Sequence, residues 1–184
     1  MPPIAFIFLL LAVPVHGLAA DAVEEGDTYL ALTHFRGGEH TAGLGGTFHE
    51  VYREKKNGVY VSYFVSFSSR DPSYEFLGAN SGDRVLDVEE DVTMFNVGAS
   101  RFLNNRFALY IGGGLGWTQR HARKFDPTRI LSDDGIYYVE AGDRFGLNAN
   151  AGLLYAGEDM MFEAGYNSFG KSYYLGLGFS FEGN

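Results

Sequence analysis

The sequence predicts an all-β fold, an eight-stranded antiparallel up-and-down transmembrane β-barrel preceded by a cleavable signal peptide, and three observations predict it. From Asp27 onward apolar residues alternate with small or polar ones in segments of about ten, whereas helical spacing is hard to find. The second face of these segments is built from Gly, Ser, Asn and Ala. Such a face suits the inside of a narrow barrel, where small residues make room for a few large ones, better than it suits water. The connections between segments alternate short and long, as a membrane barrel requires when one rim has tight turns and the other carries excursions.

Composition narrows the classes before any motif is read. Twelve tyrosines, 16 phenylalanines and one tryptophan exclude a disordered chain, and 184 residues suit one domain. A net charge of -9 argues against nucleic acid as a partner. The absence of cysteine removes disulfides, thiolate metal sites and cysteine nucleophiles together. Residues 1–20 read as the signal peptide: an uncharged apolar core from Ile4 to Val15 precedes Ala19 and Ala20, either of which fits a cleavage site. Residues 21–184 then form the barrel domain.

Turn signals divide that domain into eight strands: Asp27 to Arg36, Gly43 to Arg53, Gly58 to Ser69, Val92 to Leu103, Phe107 to Thr118, Tyr137 to Tyr155, Met160 to Asn167 and Ser172 to Phe181. The first has a clear start at Asp27. In the second, Gly45-Gly46 interrupts strict alternation and suggests a bulge. In the third, Val59, Val61, Tyr63 and Val65 share one parity against Tyr60, Ser62, Phe64 and Ser66. The fourth and fifth are joined by Asn104-Asn105-Arg106. In the fifth, Phe107, Leu109, Ile111, Leu115 and Trp117 oppose Ala108, Tyr110, Gly112, Gly114 and Gly116. The sixth repeats the pattern, with Phe145, Leu147, Ala149, Ala151, Leu153 and Tyr155 on one face. A tight turn at Gly157 leads to the seventh, and the eighth sets Tyr173, Leu175, Leu177, Phe179 and Phe181 against Tyr174, Gly176, Gly178 and Ser180. The rings at either end of strands five and six lie about ten residues apart, roughly 25 Å along a tilted barrel, the height of an outer-membrane apolar band. The outer loops then span Gly37 to Ala42, Arg70 to Asp91, Gln119 to Ile136 and Ser168 to Lys171. YEFLGA and RVLDVEED within the second of these hint at strands extended above the membrane.

Two segments, VGASRFLNNRFALYIGGGLGW from Val97 to Trp117 and YNSFGKSYYLGLGFSF from Tyr166 to Phe181, resemble the closing hairpins of small bacterial outer-membrane barrels of the OmpA-like and OmpX-like type. The resemblance implies an outer-membrane location, lipid and lipopolysaccharide as neighbours, and a last strand read by the barrel-assembly machinery through a terminal aromatic, here Phe181.

Candidate site residues follow from parity. Asn96, Glu140, Arg144, Asn148, Asn150 and Glu163 point inward and form a polar lumen network, either purely structural or a gate in which carboxylate and guanidinium exchange partners. Arg120, Arg123 and Lys124 form a basic cluster in the third outer loop, opposite acidic residues of the second, and suit lipopolysaccharide phosphates. His34, His40 and His49 carry metal or general-base chemistry but share no known face, so no metal, cofactor or catalytic site is assigned. The small barrels that remodel lipid A use a His with a Ser, and no histidine follows Phe125 here, so a non-enzymatic role is expected. An exported soluble barrel that binds a small ligand, of lipocalin or avidin type, and a lipid A-modifying enzyme are the two rival readings.

Overall fold

The computed structural model describes residues 26–37, 41–66, 75–76 and 83–181. The expected signal peptide, His40 and the ends of two outer loops lie outside the described residues. Nine strands follow in order: β1 (Asp27–Gly37), β2 (Thr41–Tyr52), β3 (Asn57–Ser66), β4 (Glu75–Phe76), β5 (Arg84–Phe102), β6 (Phe107–Phe125), β7 (Ile136–Ala156), β8 (Met160–Asn167) and β9 (Ser172–Phe181). Eight of them form a closed antiparallel ring in which β1 pairs with both β2 and β9 and β7 with both β6 and β8. Closure matters because a backbone edge in hydrocarbon would leave amides and carbonyls unpaired. The two-residue β4 lies outside the ring and pairs in parallel with Tyr138 and Val139.

Alternation decides which side each residue takes. Along β1 the pattern from Tyr29 to Gly37 is strictly buried then exposed, and β3 and β9 behave likewise. The outward set is apolar all round the ring: Leu32 on β1, Leu44 on β2, Val59 on β3, Val97 on β5, Ile111 on β6, Leu147 on β7, Phe162 on β8 and Leu175 on β9 are all exposed. Aromatic residues bound this belt. Phe107 faces Tyr155 at one end and Trp117 faces Phe145 at the other, on the same strand pair. Water cannot be the solvent of such a surface, since exposed apolar patches on soluble monomers rarely exceed a few hundred Å².

The inward set explains the glycines. A Cβ on Gly98 or Gly112 would run into the Tyr60 ring, on Gly152 or Gly165 into Tyr110, and on Gly116 into Phe169. Gly45, where a bulge was expected, carries none: β2 keeps unbroken register with β1 and β3, and the missing side chain clears space for Phe64 and Thr33. The break in alternation there comes from packing.

The rim with the turns at 53–56, 103–106 and 157–159 is tight. Lys56, at φ 54°, closes the first turn by donating its N–H to Arg53 O at 3.1 Å. The Asn104 side chain accepts from the amides of Arg106 and Phe107 at 2.9 and 2.8 Å in the second. At the opposite rim β5, β6 and β7 run to 19, 19 and 21 residues, against 8 to 12 for the other ring strands. Thus residues 119–125, expected as loop, are strand, and residues 84–91 form the strand extension at which RVLDVEED hints. The surplus of about nine residues lifts this sheet roughly 20 Å beyond the belt.

Candidate functional site

The lumen is filled in layers. At the tight-turn end, Tyr29, Val51, Phe102, Ala108, Leu154 and Met161 form an apolar floor. Arg53 lies across it, donating to the Tyr29 hydroxyl at 2.5 Å, to Gly157 O at 2.6 Å and to Asn105 O at 2.9 Å, and pairing with Asp27. One guanidinium thereby ties the three turns to the start of β1. At the other end Phe35, Phe64, Val92, Met94 and Phe169 close the roof, with Phe169 supplied by the single 3-10 turn between β8 and β9.

Polar side chains occupy the space between. His49 Nε2 and Glu163 Oε2 are 3.1 Å apart and both side chains are wholly buried. The imidazole stacks on Tyr60 at 5.4 Å between centroids and meets Tyr110 edge-on at 5.9 Å. Tyr60 donates to Asn150 Oδ1 at 2.7 Å, and Tyr110 to the Tyr174 hydroxyl at 2.7 Å. Nearer the roof, Asn148 Nδ2 donates to Asn96 Oδ1 at 2.6 Å and to Asn167 Oδ1 at 2.9 Å, while Asn96 Nδ2 reaches Ser62 Oγ at 3.1 Å. Asn148 Oδ1 accepts the Phe169 amide at 2.8 Å, so the asparagine cluster also holds the roof turn in place.

Of the six lumen candidates, the structure brings Asn96, Asn148, Asn150 and Glu163 into this interior. Arg144 and Glu140 do not join them. β7 carries one extra residue opposite β6, because Arg120 pairs with Gly142 but His121 pairs with Glu140. This bulge, with Gly142 at φ 97°, flips the parity beyond it: Tyr137 and Val139 turn inward and Glu140 is exposed. Arg144 sits at the roof with its guanidinium 5.0 Å from the centre of the Phe169 ring, an exposed cation over an aromatic face. Glu163 pairs in register with Leu154, ten residues along β7 from Arg144, a separation of roughly 25 Å along the axis. No exchange of partners between that carboxylate and that guanidinium is possible at this distance.

The sequence groups His49 with His34 and His40 as metal or general-base candidates that share no known face. Its place in the network was legible in part, since it shares inward parity with Thr47 and Val51; its partner, 114 residues away, was not. His34 is exposed on the outer face of β1. Among the described residues no group of three or more His, Asp or Glu is arranged to hold a metal ion.

The basic cluster lies on strand, in register with its acidic counterpart: Arg120 faces Glu90, His121 faces Glu89 and Arg123 faces Asp87. Arg120 Nε and Glu90 Oε1 form an ion pair of 3.1 Å, and Lys124 is buried. The basic run, expected in a loop, is therefore strand: an antiparallel hairpin sets the two charge runs against each other. Beyond it, residues 126–135 form a hydrogen-bonded tip. Asp126 accepts amides from Thr128 at 2.7 Å, Ile130 at 2.9 Å and Leu131 at 3.2 Å, together with the Thr128 hydroxyl. These donors, the hydroxyl first, hold its carboxyl down at about 2.

Neither protein-family models nor curated protein sequences give a match to this chain. Solved structures do. The crystal structure of Ail, the attachment invasion locus protein of Yersinia pestis, covers 86% of this chain and 100% of its own at 14% identity and a TM-score of 0.54. The same outer-membrane protein in a phospholipid bilayer nanodisc covers 85% and 100% at 17% identity and 0.52. Its complex with the heparin analogue sucrose octasulfate covers 86% and 100% at 14% and 0.50. At these identities the likeness is one of fold, and the fold is that of the small eight-stranded outer-membrane barrels.

Proposed function

We propose that this protein is a non-enzymatic barrel of the bacterial outer membrane that presents a stiff, strand-built surface on the outer side of the cell. The observation that carries the reading is the contrast between the two ends of one ring. A continuous apolar belt bounded by aromatic rings supports lipid as its solvent, and three strands rising about 20 Å past that belt support an exposed interaction surface. The aromatic floor and roof speak against diffusion through the lumen, as expected for a ring of eight strands. Phe181 closes β9 on the lipid face, in keeping with recognition of the last strand by the barrel-assembly machinery.

Contact with the phosphates of outer-leaflet lipopolysaccharide belongs to this reading. Its support is the exposure of basic residues at the rim remote from the tight turns and the anionic sucrose octasulfate bound by the structurally similar Ail. The experiment is membrane fractionation with a heat-modifiability gel, followed by quenching of Trp117 fluorescence with brominated lipid. Trp117 is the single tryptophan and faces outward. Strong quenching and a boiling-dependent shift are expected. A protein recovered from the soluble periplasmic fraction with unquenched Trp117 would favour the small-ligand-binding barrel instead.

A further inference from the structure

We infer that the lipid phosphate is held on the outer wall of β1 and β9, by Arg36 and Lys171, and not by the basic run of β6. The inference rests on the outer-membrane reading above and names the site of its lipopolysaccharide contact. Arg36 lies between two buried residues, Phe35 and Gly37, and is itself exposed, so it points to the lipid side. It stands at the end of β1 remote from the tight turns, in register with Tyr173 on β9 and Ala42 on β2. Tyr173 is 70% exposed and its ring is 5.0 Å from that of Tyr166, so two neighbouring phenols stand on the β9 side of Arg36 on the outer face. Lys171, two residues before Tyr173, is exposed at the same rim. His34 sits one step lower on the same face, opposite Leu44 and Leu175.

No carboxylate of the described residues stands opposite Arg36 or His34 on either flanking strand. Arg120 already has Glu90 at 3.1 Å and Lys124 is buried. A guanidinium turned toward lipid is tolerated near the interface and costs more toward the midplane, so an anion from the lipid itself is the natural partner. A phosphate at this depth accepts two parallel N–H bonds from Arg36, with the ammonium of Lys171 as a second positive charge and the Tyr hydroxyls as further donors. The ligand class is a phosphorylated glycolipid of the outer leaflet.

The test uses the full mature chain refolded in detergent and native mass spectrometry with three probes: bisphosphorylated lipid A, dephosphorylated lipid A and phosphatidylglycerol. Wild type is expected to bind the bisphosphorylated form about tenfold more tightly than the dephosphorylated one, as charge-assisted hydrogen bonds warrant. Arg36→Gln with Lys171→Gln should erase that preference, and Arg36→Lys should restore part of it. Arg120→Gln with Arg123→Gln should leave it unchanged. If the preference survives in the first double variant, or is lost only in the second, the β1–β9 site is wrong while the lipopolysaccharide contact stands. If wild type shows no preference among the three probes, both fail together. Folding is not at issue, because these side chains lie on the exterior and each variant's heat-dependent gel shift reports closure independently.

Discussion

Replacing His49 with leucine isolates the buried hydrogen-bonded contact between His49 and Glu163 at the centre of the barrel. The substitution leaves Glu163 with no partner on the oxygen that now faces His49, in a side chain that is wholly buried. Leaving a buried hydrogen-bonding group without its partner typically costs about 1–3 kcal/mol, which at ~1.4 kcal/mol per decade is a factor of roughly 5 to 150 in the unfolding equilibrium. With urea slopes of about 1–3 kcal/mol per molar, the midpoint should fall by about 1 M. Replacing both residues, His49→Leu with Glu163→Leu, removes the pair without leaving either polar group unpartnered, and should recover most of the loss. The assay is urea unfolding in phospholipid vesicles followed by the gel shift, with Trp117 fluorescence as a second probe. If the single and double variants are equally destabilised, the cost is lost packing against Tyr60 and Tyr110, and the hydrogen-bonding argument is refuted.

Three further outcomes follow from positions described above. Gly112→Ala places a methyl against the Tyr60 hydroxyl and the Val97 carbonyl and should cost about 1–3 kcal/mol, whereas Gly46→Ala, whose nearest atom is 3.7 Å away, should be neutral or mildly stabilising; equal effects in thermal melts would refute the packing role of the inward glycines. Ile111→Arg, on the lipid face near mid-belt, should cost about 2–4 kcal/mol in vesicles, and an unchanged urea midpoint would sink the orientation. The tip of the β6–β7 hairpin should keep its order in mild acid. The Asp126 carboxyl titrates near 2 when folded against 3.8 in the open chain, so its stabilisation is complete above about 4 and is lost as pH falls through 2. Amide shifts of Thr128, Ile130 and Leu131 should move with a midpoint near 2, and a midpoint near 4 would contradict the hydrogen bonds drawn here.

The ring of strands was legible because one side of each faces hydrocarbon and must be apolar, which imposes a strict period of two on residues such as Leu109, Ile111 and Leu115. Residues 119–125 escaped, and 84–91 gave only a hint, because water bathes that part of the sheet, and no apolar face marks Glu89 and Glu90 or Arg120 and Arg123 as strand. Glu140 was misplaced for a local reason: one extra residue before Gly142 inverts parity, and alternation counted through a bulge gives the wrong side. Asn96, Asn148 and Asn150 followed from parity alone, whereas Asn167, at the end of β8 beside the roof turn, was not singled out. The partnership of His49 and Glu163 depends instead on the tilt that brings β2 and β8 face to face across the lumen, which no single segment encodes.

The pairing of β1 with β9 has a temporal meaning. The amides of Leu30 and Leu32 find their second neighbours only in Phe179 and Leu177, so the earliest strand to leave the ribosome waits for the last. No partial ring possesses a wall without a seam, and insertion into lipid can begin in earnest only once β9 has been made. A cell making this protein must therefore keep the earlier strands unfolded and shielded until then, and loss of β9 would forfeit the entire barrel.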